Sequence, residues 1–215
     1  AIATLGKSID IHTGGIDHIS VHHNAEIAQS EAATGKPFVK YWLHNEFITI
    51  DNTKVSKSLG NTITLRHLHD RGFTGEDYRY WLLTAHYRSP INFSWDALDG
   101  AKQALFRLKR IMYEEFKQKS TKPSERYLEK FDTHLADDLD TPGAIATLWD
   151  MLKDNTLSDA EKCGTLMAMD DVLDIGLSLP VEAGVRSLGV VTAAELPDDG
   201  QDLVGRREIG RASCR

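Results

Sequence analysis

The stretch "SIDIHTGGIDHISVHHNAEIAQSEAATGKPFVKYWLHNEFITI", residues 8–50, decides the fold of the first part of this chain. Its opening alternates polar and β-branched residues and predicts a short strand over residues 8–12, which a glycine pair ends. Residues 21–34 favour a helix, which GKP terminates. The aromatic and β-branched run that follows predicts one strand, or two with a bend at His44-Asn45. Strand, helix, strand is the order of a parallel α/β unit, whose ligands bind at the carboxyl ends of the strands.

The rest of the chain has the periodicity of helices. TLRHLHDRG and GEDYRYWLLTAHY each predict a short helix, and the aromatic residues of the second lie at core spacing. From Ser94 onward we expect helices throughout: a long amphipathic helix to about residue 119 that Ser94 caps, then three more over residues 124–138, 141–154 and 158–177. The fold class is therefore α/β followed by all-α, with a helical bundle as the second part.

Composition sets broad limits on the class of protein. With 215 residues, 41% of them apolar and 27% charged, the chain is typical of a globular protein with one large or two small domains. The net charge of −7 argues mildly against a dedicated nucleic-acid binder without excluding one. No apolar run reaches membrane-spanning length, so we expect no membrane contact. Cysteines occur only at Cys163 and Cys214, which favours a reducing, cytoplasmic location.

His22 and Glu26 form a candidate metal site. Residues four apart lie on one face of a helix, so an imidazole and a carboxylate at this spacing can bind one ion. Both side chains are acceptable zinc ligands. A lone H-x-x-x-E spacing is, however, more often an ordinary ion pair on a helix surface. His23 points to another side of the helix, and we expect it to pack or to hydrogen-bond.

The sequence KVSKS, residues 54–58, is a candidate phosphate-binding loop. Two lysines three residues apart, Lys54 and Lys57, can neutralise a polyphosphate, and the serines between and after them, Ser56 and Ser58, donate hydroxyl hydrogen bonds. Such a set suits a transition state whose negative charge spreads over phosphate oxygens. The alternative is an ordinary polar loop. Its position between an α/β unit and a helical part favours the functional interpretation.

Two further motifs carry polar residues near predicted element ends. Gly14-Gly15 follows the first strand and lets a ligand approach the backbone closely, while Asp17 is suited to contact a ribose or an ammonium group. The alternative is a tight turn with a capping aspartate. The acidic DDLDTP segment is interpreted as a helix start, with Pro142 in the first turn, rather than as a cation site.

In this order, the motifs resemble the cysteinyl-tRNA synthetase family of class I aminoacyl-tRNA synthetases. IDIHTGGID through KVSKSLGN is similar to the second half of the Rossmann-like catalytic domain, LRHLHDRGFTGEDYRYWLLTAHYRSPINFSWDAL to the segment after it, and LADDLDTPGAIATLWDML to the helical domain. The resemblance covers about residues 1–177. It implies that residues 1–62 are the end of the catalytic domain with its KMSKS-type loop and that residues 63–95 are a connecting helical, stem-contact-like segment. It also implies that residues 96–179 form a helical bundle and that residues 180–208 are a linker and the start of a truncated helix.

Two further expectations concern the ends of the chain. The final residues EIGRASCR match the translation of a common sequencing-adapter stretch, so we expect 209–215 to be an artefact. In the resembling family, one zinc-binding cysteine lies just before the position of Ala1, and another cysteine and the HIGH motif for ATP lie further upstream. We therefore expect the chain to be a fragment that is inactive alone.

The resemblance also implies roles for the candidate residues. His22 and Glu26 would be zinc ligands beside the two absent cysteines, and ATP with Mg would be a substrate. Lys57 and Lys54 would be catalytic, steadying the departing pyrophosphate. The residues implied to bind ATP or the adenylate are His12, Gly14, Gly15, Asp17, Val55, Ser56, Lys57 and Ser58. The implied partners are tRNA-Cys, cysteine and ATP, for a monomeric protein.

The sequence departs from the family pattern in two places. KVSKS has Val55 where the family usually has methionine, which keeps an apolar residue there. SVHHNAE, with Asn24 and Ala25, replaces a more usual FPHHENE, which removes polar support near the metal ligands but not the ligands themselves. Two alternatives stay open: a ligase joining cysteine to glucosaminyl-inositol in mycothiol synthesis, and a non-catalytic module that binds tRNA or protein. The DDLDTP helices and Glu26 favour the synthetase.

Overall fold

A computed structural model describes residues 2–50, 53–54, 62–117 and 119–177. Within these ranges the chain divides into two compact units, one built from 2–104 with 125–154 and the other from 105–124 with 155–177. Most described residues are helical, and the strands are few and short. Among the described helices, none combines the length and the apolar character needed to cross a membrane.

The first unit begins with a parallel α/β unit. A short helix α1 (Ile2–Leu5) is followed by β1 (Ile9–Gly15), α2 (Asn24–Thr34) and β2 (Val39–Asn45). β1 and β2 pair in parallel, from Ile9 opposite Val39 to Gly15 opposite Asn45. The predicted strand–helix–strand order is confirmed. The predicted end of the first strand is wrong, because Gly14 and Gly15 take part in the ladder instead of stopping it.

The connection between β1 and α2 is helical throughout. A single 3₁₀ turn (Ile16–His18) leads into a π-helical turn (Ile19–His23), and α2 continues from it. α2 ends as predicted at Gly35, whose φ of 64° is the left-handed conformation that glycine adopts without strain. This continuous helical path brings the histidines of the HTGGIDHISVHH segment back over the end of β1.

A second, three-stranded sheet lies in the same unit. It contains β3 (Ile48–Ile50), β4 (Thr53–Lys54) and β5 (Ile91–Phe93), in the order β4-β3-β5, with β3 and β5 parallel. Sequence pattern does not predict β5, because a strand of three residues is too short to show alternation. The predicted break in the FVKYWLHNEFITI run is confirmed as the gap between β2 and β3.

In the described part of the segment between β4 and β5 there are two short helices. They are α3 (Leu65–Asp70) and α4 (Gly75–Leu83), and each begins with a capping box. Thr64 accepts from the backbone of His67, and Thr74 accepts from that of Asp77. These caps satisfy amide groups that the first turn of a helix leaves without partners. Both helices occur where the sequence predicts them.

The remaining helices agree with the prediction to within a few residues. They are α5 (Trp95–Arg110), which continues as a π-helical turn (Ile111–Glu115), α6 (Glu125–Ala136), α7 (Thr141–Lys153) and α8 (Asp159–Leu173). In the first unit α6 packs on α7 around the buried Phe131 and Leu148. In the second unit the core is formed by Leu105, Leu108, Met112, Cys163, Leu166, Met169 and Leu173.

Candidate functional site

A cluster of histidines lies at the carboxyl ends of β1 and β2. His12 on β1 and His44 on β2 point to the same face of the sheet, because both occupy alternate positions of paired parallel strands. That face carries the helical connection, which contributes His23, and α2, which contributes Glu26. Carboxyl ends of parallel strands are the usual place for ligands in α/β folds. The cluster therefore lies where the sequence predicts a site.

Glu26 is the acidic member of this cluster. Its Oε2 lies 3.0 Å from Nε2 of His12, and its Oε1 lies 3.7 Å from Nε2 of His22. Oε2 is shielded from solvent, yet within the described part of the chain it accepts no well-directed hydrogen bond. A shielded carboxylate oxygen without such a bond is costly unless a cation or proton meets it. This oxygen is the structural feature that best fits a bound metal ion.

The donor atoms are close enough to bind one ion. His12, His23 and Glu26 each offer one atom, and these atoms all lie within 4.8 Å of one another. Imidazole nitrogens and a carboxylate oxygen form a donor set that suits zinc. His22 and Glu26, the pair predicted from the sequence, are also brought together, although the His22 side chain is 63% exposed. His12 and His23 were not predicted as ligands, since their approach depends on strand pairing rather than on sequence spacing.

His23 is the most buried residue of the cluster, with an exposed fraction of 3%. Its Nδ1 lies 2.8 Å from Nε2 of His44, so one ring donates a hydrogen bond and the other accepts it. Burial, and secondarily the neighbouring imidazoles of His12 and His44, lower the pKa of His23 from its ordinary value, against an opposing effect of Glu26. The expected hydrogen-bonding role of His23 is confirmed.

The glycine pair makes space for this cluster. A Cβ on Gly14 would lie 2.5 Å from Cε1 of His23 and 2.9 Å from Nδ1 of His18, closer than carbon atoms approach. A Cβ on Gly15 would lie 2.6 Å from Oδ1 of Asp17. The space above Gly14 is thus already filled by imidazole rings. Gly14 is needed because imidazole rings of the following helical turn pack directly on the strand backbone, whereas the exposed Asp17 side chain beside Gly15 can shift.

A cavity of about 410 Å³ opens next to the cluster. It is lined by Ile16, Ile19, Trp42, His44, Glu46 and Arg88. The rings of Trp42 and His44 stack nearly parallel, with centroids 5.9 Å apart. Arg88 donates from Nη2 to Oδ1 of Asp138 at 3.1 Å, which fixes its guanidinium at the cavity. Sequence reasoning missed Arg88, because no pattern in the chain connects it with residues more than forty positions away.

Most of the predicted phosphate-binding loop lies outside the residues that the structure describes. The structure describes only the backbone of Lys54, which pairs with Thr49 between β4 and β3. Val55, Ser56, Lys57 and Ser58 lie outside the described residues. Their roles stay predictions. His12, Gly14, Gly15 and Asp17, the other residues assigned to ATP or the adenylate, do lie together at the end of β1 and in the turn after it.

Comparison with known proteins indicates the class of protein that this chain resembles. Residues 1–103 match the family model of the class I (C) tRNA synthetase catalytic domain. Over this segment the chain is similar to the class I tRNA synthetases. The particular members of that class to which it is similar are cysteine–tRNA ligases. It is 41% identical to that of Chlamydia felis and 43% identical to that of Chlamydia trachomatis, in each case over 98% of this chain.

The chain spans about half the length of these relatives, namely 46% of the Chlamydia felis protein and 48% of the Chlamydia trachomatis protein. A relative from another organism gives a consistent result: the cysteine–tRNA ligase of Treponema denticola is 41% identical over 80% of this chain, which matches 40% of that protein. The resemblance inferred from the motifs is confirmed.

Among solved structures, the chain is similar to the LeuRS of Agrobacterium radiobacter K84 agnB2, which was crystallised in a ternary complex with tRNA and LeuAMS. The TM-score is 0.63 at 16% sequence identity, over 85% of this chain and 28% of that one. At this identity the similarity concerns the fold alone. It confirms a class I synthetase fold at the coarse level.

Proposed function

We propose that this chain is part of a cysteine–tRNA ligase, an enzyme that activates cysteine with ATP and transfers it to tRNA-Cys. One observation carries the proposal: Glu26, held between His12 and His22 at the end of β1, has a shielded oxygen without a well-directed hydrogen bond. The similarity to cysteine–tRNA ligases over 98% of the chain supports it. The relatives described above are tRNA ligases, which favours this function over the glucosaminyl-inositol alternative.

The proposal includes the domain divisions expected from the sequence. Residues 1–62 correspond to the second half of a Rossmann-like catalytic domain, and the parallel pairing of β1 with β2 supports this assignment. Residues 63–95 are the connecting segment, and 96–179 form the helical bundle. Because the chain spans 46% of the Chlamydia felis relative, we expect it to be inactive alone.

We assign His22 and Glu26 as metal ligands; His12 and His23 each offer a further donor atom within 4.8 Å of a Glu26 oxygen. A zinc ion here would supply a soft Lewis acid that prefers the sulfur of cysteine to the hydroxyl of serine. Burial lowers the pKa of His23, which is hydrogen-bonded to His44, and so disfavours a positive charge that would repel the cation. Glu26 supplies the negative charge that offsets it.

The other assigned residues act on the nucleotide. In the activation step, the carboxylate of cysteine attacks the α-phosphate of ATP, and pyrophosphate leaves. Lys57 and Lys54 stabilise the charge that develops on the leaving group, with Ser56 and Ser58 as hydrogen-bond donors and Val55 as the apolar residue of the loop. At the end of β1, Asp17 and the backbone of Gly15 orient the adenylate, beside His12. Gly14 acts indirectly, because His18 and His23 occupy the space above it.

Joining this chain to the part of the Chlamydia felis ligase that it does not span tests the proposal. The fusion should catalyse cysteine-dependent exchange of pyrophosphate into ATP and should charge tRNA-Cys, with serine excluded. Lys57→Ala should cost about 2–4 kcal/mol of transition-state stabilisation, as is typical for loss of one electrostatic stabiliser. A folded fusion that lacks exchange activity, or a Lys57→Ala variant with an unchanged rate, would contradict it.

Metal titration tests the ligand assignment separately. We expect the isolated chain to bind zinc weakly, because the family's two cysteine ligands are not among its residues. His22→Ala and Glu26→Ala should abolish that binding, whereas His69→Ala, an exposed histidine of α3, should leave it unchanged. Equilibrium dialysis that shows tight one-to-one zinc binding, or binding that survives Glu26→Ala, would contradict the assignment.

A further inference from the structure

Three consecutive side chains before β5 converge on one residue of the turn between α6 and α7. Nε2 of His86 donates to the backbone oxygen of Asp138 at 3.0 Å, because its Nδ1 already accepts from the amide of Arg88. The hydroxyl of Tyr87 donates to Oδ1 of Asp138 at 2.7 Å. Arg88 contacts both carboxylate oxygens, with Nη2 3.1 Å from Oδ1 and Nε 3.1 Å from Oδ2. These contacts join two segments of the first unit that are 50 to 52 residues apart in sequence.

The backbone of this turn is unusual at the same residue. Asp138 has a φ of 54° and Leu139 a φ of 58°, in a region that residues other than glycine seldom occupy. Backbone strain of this kind persists where surrounding contacts fix the residue, and it is frequent at functional sites. The carboxylate of Asp138 does not cap α7, since Asp140 has that role. It is therefore the contact with residues 86–88, not the start of a helix, that Asp138 provides within the DDLDTP motif.

Arg88 keeps donor groups for a further partner. Its Nε also donates to the hydroxyl of Tyr87 at 2.9 Å, but its Nη1 makes no hydrogen bond within the part of the chain that the structure describes. The side chain is 62% exposed and lines the cavity beside His44. A guanidinium has five N–H donors in a rigid fork that matches phosphate oxygens. Asp138 thus fixes a cation at the cavity without using all of its donors.

The chemistry of this cavity fits an unpaired nucleotide. Its volume of about 410 Å³ lies within the range of about 300–1,000 Å³ that small-molecule sites have, and cysteine would leave most of it empty. Ile16 and Trp42 give it an apolar and aromatic wall, and Arg88 supplies a cation, which is the combination that binds single-stranded nucleic acid. Glu46 also lines it; its Oε2 accepts from a neighbouring amide, which leaves Oε1 to accept from a ribose hydroxyl. Ile16 directly precedes Asp17, which is assigned to the adenylate.

We propose that Asp138 is a positioning residue for the transfer of the amino acid to tRNA. It holds the guanidinium of Arg88 at the cavity, where Arg88 binds a phosphate of the unpaired end of the tRNA. The phosphates of ATP are assigned to Lys54 and Lys57, so Arg88 acts on the tRNA rather than on the nucleotide substrate. This inference rests on the proposed function, which supplies the tRNA, and it makes the turn between α6 and α7 a part of the transfer step.

Steady-state kinetics of the covalent fusion with the remaining part of the Chlamydia felis ligase tests the proposal. Arg88→Ala and Asp138→Gly should each raise the KM for a tRNA-Cys transcript about tenfold, the effect of losing a charged hydrogen bond. Their loss of kcat/KM in aminoacylation should be several times larger than their loss in pyrophosphate exchange, which involves no tRNA. Leu139→Gly is the matched control, because it relieves the same backbone strain and keeps the carboxylate. It should leave the KM for tRNA unchanged.

Two further readouts separate positioning from a general loss of structure. Arg88→Ala should reduce the slope of log affinity for tRNA against log salt concentration by about 0.7, the value for one phosphate of a single strand. Arg88→Lys, which keeps the charge, should preserve that slope. The double variant Arg88→Ala/Asp138→Gly should bind tRNA no more weakly than Arg88→Ala alone, since Asp138 acts through Arg88.

Three results would overturn the proposal. They are an equal loss in exchange and in aminoacylation, a salt slope that Arg88→Ala leaves unchanged, and additive effects of the two substitutions. The proposed function fails separately. A fusion without exchange activity that still binds tRNA with an Arg88-dependent salt slope would overturn only the function, whereas an active fusion whose salt slope is independent of Arg88 would overturn only this inference.

Discussion

Gly14 determines how closely the histidine cluster approaches β1. Because a Cβ there would meet two atoms of the His23 ring and one of His18, the glycine is needed for packing rather than for an unusual backbone angle. His23 is buried and hydrogen-bonded to His44, so it cannot swing aside without losing that contact.

We expect Gly14→Ala to lower the free energy of unfolding by about 1–3 kcal/mol, the usual cost of overpacking. Chemical denaturation in the presence of a chelator measures this change in the free energy of unfolding. Gly100→Ala is the matched control: Gly100 is exposed within α5, its added Cβ would meet nothing within 4 Å, and alanine there should stabilise the helix by about 0.5–1 kcal/mol. Equal effects of the two substitutions would contradict the packing argument.

His23 should make stability depend on pH. Its pKa in the folded protein is lowered, so between that value and the ordinary value of 6.5 the unfolded chain binds more protons than the folded one. The free energy of unfolding should therefore fall as the pH drops through this window from neutrality. His23→Gln, which cannot titrate, should reduce the slope of the unfolding free energy against pH, whereas His69→Gln at an exposed position should not. An unaltered slope in His23→Gln would show that other groups control it.

Among the elements, the turn between α6 and α7 holds two consecutive residues in a conformation that is unusual for side chains other than glycine. Asp138 and Leu139 both have positive φ, at 54° and 58°, a conformation that costs a non-glycine residue about 1–2 kcal/mol. Contacts with the segment before β5 offset this: the carboxylate of Asp138 accepts from Tyr87 at 2.7 Å and from Arg88. Through these contacts the turn holds the side chain of Arg88, which lines the cavity beside His44.

Asp140 ends this turn as the N-cap of α7. Its Oδ1 accepts from the backbone of Gly143 at 3.0 Å and its Oδ2 contacts Nδ1 of His134 at 2.7 Å. The Gly143 amide, and then the His134 ring, lower the pKa of Asp140. The cap therefore contributes stability above the ordinary pKa of aspartate, and this contribution is lost as the pH falls through the lowered value.

We expect Asp140→Ala to destabilise the protein by about 1–2 kcal/mol at neutral pH, the usual effect of removing an N-cap, and by less in acid. Thermal or urea unfolding at both pH values measures this. Asp137→Ala is the control, since Asp137 is an exposed carboxylate of the same turn that does not cap α7. A loss of stability that is the same for both variants would mean that net charge, not the cap, is responsible.

At the scale of the whole molecule, burial is distributed unevenly over the elements. α8 contains Cys163, Thr165, Leu166 and Met169, all with no exposed surface, whereas α2 contains no buried residue. We expect amide hydrogen exchange in α8 to be the slowest and to approach the global unfolding rate, and exchange in α2 to be faster through local opening. Mass spectrometry of peptic fragments measures both. Protection of α2 equal to that of α8 would contradict this ranking.

Most of the regular structure could be predicted from the sequence alone. The α/β order, the end of α2 at Gly35 and the caps at Thr64, Thr74 and Ser158 follow from local residue preferences, which act within a few positions. The i,i+4 pair of His22 and Glu26 is local in the same sense. β5 and the extension of β1 through its glycines depend on pairing with distant strands, so local preference gives no signal of them.

The amino-acid sequence alone shows which side chains are suited to bind a metal and a nucleotide, and which family the chain resembles. Only the tertiary structure decided that His12, His23 and Glu26 approach within 4.8 Å, that Gly14 serves packing, and that Arg88 reaches the cavity through Asp138. The physical reason is the range of the interactions. Helix faces and caps are set by neighbours along the chain, whereas strand register and burial are set by residues that folding alone brings together.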